Sequence, residues 1–178
     1  YEKHKKTVLK KRVNQQLFEN IKQTILLLKN NYDLEESLAK ILVLRLIFIR
    51  YLIDRKIKID TSFIKGNEDN VTLRRKSLSE LIEDPKQLVV FFDYLNKRFN
   101  GVLFKKSNIE LTFAQSNILS KLFDPDGISD SDQTKLFYGF DFQYDVFDFG
   151  IIPVELISGI YETLLDEETK NATSAVYT

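Results

Sequence analysis

Leu38-Ala39-Lys40-Ile41-Leu42-Val43-Leu44-Arg45-Leu46-Ile47-Phe48-Ile49-Arg50-Tyr51-Leu52-Ile53 is the stretch on which the fold turns. It is the most apolar segment of the chain, yet it is too short to span a bilayer comfortably and carries Lys40, Arg45 and Arg50. Its apolar residues cover most of a helical circumference, so it reads as the central helix of a soluble domain, packed on several sides by other helices. Two arginines in such a helix are expected to be paired internally or to face an adjoining domain.

Working outward, Asp33 and Glu36 predict a capping box at the start of this helix, which then runs to about residue 56. Upstream, Val8, Val13, Leu17, Ile21, Ile25 and Leu28 recur at mostly four-residue steps and give one amphipathic helix over about 5–30. Downstream, 59–76 contains Gly66, Asn67 and Asn70 among charges and reads as a loop or insertion. Helices resume at 77–83 and, after Pro85 at a favoured first-turn position, at 86–99. Asn100-Gly101 ends that helix, glycine being the residue expected to take the left-handed conformation.

A further helix is expected over 112–123, then a turn at Asp124-Pro125-Asp126-Gly127 and a short helix from Ser129 to about 138. The aromatic-rich 137–149 reads as an extended connector. Pro153 opens a last helix over 154–165, before a polar tail at 166–178. The fold class that follows is all-α: an irregular multi-helix domain of about seven helices, one domain over 1–178, with an aromatic extended connector before the last helix.

The net charge of zero conceals a polarity along the chain. Residues 1–123 hold 24 Lys or Arg against 14 Asp or Glu, whereas 124–168 hold one Lys against 12 acids. A basic leading part suits a phosphate-binding surface, because each neutralised phosphate releases counterions. Neutralisation of one end by the other within the fold is the competing account. The absence of cysteine removes disulfides and thiolate metal sites, leaning towards a reducing compartment. No signal-peptide layout opens the chain, and a cytoplasmic, bacterial-type setting is expected. With Tyr1 first and no methionine, the chain reads as a piece of a longer polypeptide.

Catalytic constellations are weak. Asp124, Asp126, Asp130 and Asp132 miss the spacing of a calcium loop and suit turn and capping duties better. Asp54-Arg55-Lys56 contains the acid, spacer, lysine triplet of many metal-dependent nucleases, but it ends a helix and has no evident partner acid. The single histidine, His4, lies in a lysine run and reads as solvated. No nucleotide-phosphate fingerprint is present.

Three patterns together resemble one family. They are Val43-Leu44-Arg45-Leu46-Ile47-Phe48-Ile49-Arg50-Tyr51-Leu52-Ile53-Asp54-Arg55; Leu95-Asn96-Lys97-Arg98-Phe99-Asn100-Gly101-Val102-Leu103-Phe104; and Phe149-Gly150-Ile151-Ile152-Pro153-Val154-Glu155-Leu156-Ile157-Ser158-Gly159-Ile160-Tyr161-Glu162, followed by Tyr177-Thr178. In this order they resemble the helical region that precedes the catalytic core of large adenine-specific DNA methyltransferases, including fused type IIG restriction-modification enzymes. The family commonly has Gly-Ala-Tyr before its Tyr-Thr-Pro element, where this chain has Ser174-Ala175-Val176.

The resemblance covers about 38–178 and implies a parent that transfers a methyl group from S-adenosylmethionine to the exocyclic amine of a flipped adenine. The chain has neither the family's Asn-Pro-Pro-Tyr motif nor its cofactor loop, so it would be a non-catalytic spacer that docks on the methyltransferase domain and braces double-stranded DNA. On that view 166–178 is the linker into that domain, Thr178 is a peripheral cofactor contact, and no other cofactor and no metal is bound. Lys5, Lys6, Lys10, Lys11 and Arg12, joined by Lys3, and Arg74, Arg75 and Lys76 are the phosphate-contact candidates. A helical protein-interaction module unrelated to nucleic acid is the alternative.

Overall fold

A computed structural model describes residues 2–62, 73–105, 108–126, 144 and 147–177, without the side chains at 9, 10 and 167–177. Six helices occur among the described residues and no strand: α1 (Glu2–Tyr32), α2 (Glu36–Asp54), α3 (Arg75–Glu83), α4 (Pro85–Phe99), α5 (Phe113–Phe123) and α6 (Val154–Tyr177). None is long and apolar enough to cross a membrane. The helix expected after Ser129 and most of the aromatic connector lie outside the described residues.

The all-α expectation holds, and α2 is its centre. Eleven of its residues are buried, among them Leu42, Val43, Leu46, Ile47 and Ile49, because α1 covers one side, α6 another, and the α4–α5 connection a third. From Leu17 onwards α1 packs on α2 through Leu17, Ile21, Ile25 and Leu28, one residue per turn of the buried stripe. Helices α3, α4 and α5 form a second layer. There the Ser120 hydroxyl donates to Ser79 O at 2.8 Å, and Ser116 donates to Ile82 O. Gln115 then ties α5 to the end of α1 by donating to Tyr32 O at 2.8 Å.

Several boundaries differ from expectation for local reasons. Asp33 does not cap α2; it takes φ 52° in the turn after α1, and Glu35 caps instead, accepting from the amides of Ser37 and Leu38. Those bonds hold the Glu35 carboxyl below its usual range. At the end of α2, Lys56 sits at φ 57° with its amide on Ile53 O, while Ile57 N donates to Leu52 O, a Schellman arrangement that stops the helix at Asp54. Asn100, not Gly101, is the left-handed residue after α4, its side-chain type tolerating that region.

Pro85 does open α4, with Asp84 as the cap accepting from Gln87 N. Helix α3 starts at Arg75, two residues before the expected position. Helix α6 continues beyond 165 to Tyr177, since the polar stretch 166–176 contains neither glycine nor proline to stop it.

Candidate nucleic-acid interface

The basic half of α1 receives no core cover. From Glu2 to Gln16 every described side chain is exposed except Asn14, which is half-buried; Val8 and Val13 are each 39 % exposed. Fifteen helical residues span about 22 Å at 1.5 Å per residue. Within them, residues 3–12 hold six cations and no acid. Positions 3, 6 and 10 continue the face that from Leu17 onwards is buried, so that face changes from aliphatic to cationic where the packing stops. The physical reason is direct: burying unpaired ammonium groups costs several kcal/mol each, which forbids the body from wrapping this end of the helix.

The candidates named from the sequence therefore divide. Lys5, Lys6, Lys11 and Arg12 are exposed on this arm, as is Lys3; Lys10 lies in the same helix, with its side chain outside the described ones. Arg74 is exposed immediately before α3. Arg75 and Lys76 are committed within the chain. The Arg75 guanidinium donates to both Asp54 oxygens, Nε to Oδ1 at 3.0 Å and Nη2 to Oδ2 at 2.9 Å. Lys76 Nζ lies 3.0 and 2.9 Å from the Asp124 oxygens and 3.7 Å from Asp126. Starting α3 at Arg75 puts both cations on its first turn, against the ends of α2 and α5. Thr178 lies outside the described residues. His4 is exposed on the arm.

Asp54 is the hub that sequence reading missed. Its side chain is 4 % exposed and accepts from Arg75, from Arg50 Nη2 at 3.1 Å and from the Phe149 amide at 2.9 Å. Burial pushes its carboxyl up, but the bonds from Arg75, Arg50 and the Phe149 amide prevail and hold it below the usual carboxylate range. Arg50, fully buried, also donates to Tyr144 O and Phe147 O and lies 5.3 Å from the Phe149 ring centre. One carboxylate thus fastens the aromatic connector and α3 to the end of α2. Its two oxygens together accept four hydrogen bonds from within the chain. Among the described residues no group of three acids, histidines or cysteines gathers elsewhere.

Arg45 is buried too, as its apolar surroundings predicted. Nε donates to Leu103 O at 2.7 Å and Nη2 to Lys105 O at 2.8 Å, and the guanidinium stacks on Phe92 and Phe104. An internally held arginine was foreseeable; its partners, carbonyls some sixty residues away, were not.

Comparison with protein-family models, with curated proteins and with solved structures returns no match. The resemblance to the methyltransferase helical region therefore rests on the sequence motifs alone.

Proposed function

We propose that this chain is a non-catalytic helical domain that braces double-stranded DNA, as part of an adenine-N6 DNA methyltransferase or fused restriction-modification enzyme. The observation that carries the DNA reading is the uncovered arm, a helical stretch of α1 whose residues 3–12 hold six cations and no acid. A duplex presents one negative charge per about 1.7 Å of axis, so a helix of this charge density can neutralise several phosphates without reading bases. The methyltransferase part of the reading is supported by the ordered motifs, which also point to a catalytic domain as the intramolecular partner and to S-adenosylmethionine as that domain's cofactor. Thr178 is the one residue proposed to approach it.

The binding experiment is a salt series of the whole chain on duplex DNA. Six phosphate contacts give a slope of log K against log salt of about −5. Replacing Lys3, Lys5, Lys6, Lys11 and Arg12 by glutamine should reduce it to about −1, and a slope near zero in the unaltered chain refutes DNA bracing. The methyltransferase reading has its own test: a polypeptide that continues past Thr178 must carry Asn-Pro-Pro-Tyr within a few hundred residues. A protein-interaction module is the second reading, favoured by Val102, Phe113 and Ile151, which are 74, 82 and 74 % exposed.

A further inference from the structure

Between α2, the turn after α4 and α6 runs a groove unrelated to the arm. It consists of two adjoining cavities of about 260 Å³ each that share Leu44, Leu103 and Tyr161. Along α2 it extends from Lys40 to Tyr51, about 16 Å at the helical rise. The two ends differ in chemistry. One is lined by Lys40, Arg45, Lys105 and Tyr161 over an aliphatic floor. The other is lined by Phe48, Tyr51, Val154 and Ile157, with Ser158 and Glu162 on its α6 rim.

Among the described residues the charged end is electrostatically incomplete. Arg45 is 2 % exposed, yet among the described residues no carboxylate lies within ion-pair distance of it; its bonds go to neutral carbonyls. Asp93 attracts it only from farther away, and burial pushes its pKa down to about 10. Lys40 is paired with Glu36 at 3.4 Å, and Glu36 is shared with Lys29. Lys105 is exposed at the mouth. A buried cation without a counter-charge is costly, and an anion seated beside it removes that cost. The long apolar remainder of the groove then has to be covered by a tail without charge.

We propose that the α2–α6 groove is a binding site for an aliphatic monocarboxylate of medium chain length, its carboxylate at Arg45 and Lys105 and its hydrocarbon along Leu44, Phe48 and Ile157. The site is independent of DNA binding by the arm. Tyr161 lines both cavities and so lies at the junction of head and tail. Glu162 at the opposite end disfavours the reversed orientation by like-charge repulsion.

The test is a calorimetric titration of the whole chain with hexanoate, octanoate and decanoate below their micelle concentrations. Affinity should rise about four-fold per added methylene, the equivalent of about 0.8 kcal/mol each. Decanol and a decylammonium ion should bind at least ten-fold more weakly than decanoate. Ser158→Trp, which fills the apolar cavity from an exposed helix position, should abolish binding. Arg45→Met should erase the preference for the carboxylate; if that variant does not fold, Lys105→Glu serves, with a several-fold loss expected. No saturable binding, equal affinity for the alcohol, an unaltered affinity in Ser158→Trp, or a concentration-dependent dimer that closes the groove would each overturn the assignment.

Discussion

Replacing Asp54 by alanine tests whether the end of α2 is held by charge. The substitution removes acceptors from three donors: Arg50, fully buried, Arg75, whose side chain is 30 % exposed, and the Phe149 amide. Stranding a buried cation by deleting its partner costs about 3–5 kcal/mol. Arg75 adds little, because a partly exposed pair contributes under about 1 kcal/mol after solvent screening. The terms overlap, so the expected loss is about 4 kcal/mol, a large share of the ~5–15 kcal/mol that holds a domain together. For a chain of this length that lowers Tm by about 10 °C.

Urea unfolding followed by circular dichroism at neutral pH gives the number, and Arg75→Ala measured beside it should lose no more than about 1 kcal/mol. The acid limb supplies a second reading. Asp54 has a folded pKa below its unfolded one, so its stabilisation is present above the unfolded value and disappears as pH falls through the folded value. The wild-type chain should therefore lose stability below about pH 4 more steeply than Asp54→Ala does. A loss under about 1 kcal/mol at neutral pH, or identical acid limbs, would refute the reasoning.

Three further outcomes are expected. Gly150→Ala should destabilise by about 1–3 kcal/mol, since the added Cβ meets the backbone oxygen of Asp54 at 3.2 Å and Asp148 Oδ1 at 2.9 Å; calorimetric melting measures it. Lys56→Gly should do the reverse and stabilise by about 0.5–1 kcal/mol in urea titration, because glycine takes the φ of 57° without a Cβ penalty. At the α1–connector contact, Thr24 donates to Asn20 O at 2.7 Å and so accepts from the Tyr144 hydroxyl at 2.8 Å. Tyr144→Phe should cost about 1 kcal/mol and Thr24→Val about 1–3, as the latter strands a buried phenol whose pKa burial already raises; equal costs in urea titration would contradict that direction of donation.

Much of the fold was legible because it is written in short-range pattern. The three- and four-residue spacing of Leu17, Ile21, Ile25 and Leu28, and Pro85 at the start of α4, each depend on neighbours within a turn or two. The saturated apolar surface of α2 announced its central position and left Arg45 and Arg50 either held internally or facing an adjoining domain; both are held by groups within the chain. What could not be read was set by long-range encounters or by unusual residues in strained positions. Asp54 meets Arg75 across 21 residues and Phe149 across 95, and no local rule selects that carboxylate over its neighbours. Glutamate is an uncommon cap and lysine an uncommon left-handed residue, so Glu35 and Lys56 carried no signal. At the candidate interface, the cations were visible, but only the placement of α3 separates Arg74 and the α1 arm from Arg75 and Lys76, which are already engaged.

The arm of α1 has a thermodynamic consequence of its own. Starting a helix is the costly step, and lengthening one is cheap; here the half from Leu17 to Tyr32, clamped on α2, is a permanent nucleus. The cationic half is thus a propagation product, able to unwind from Glu2 inward one turn at a time while the body stays intact. Amide exchange along α1 would form a graded ramp, fast at the tip and slow past Leu17. An anionic partner lying along the arm would flatten that ramp from the tip inward, so helix length itself reports occupancy.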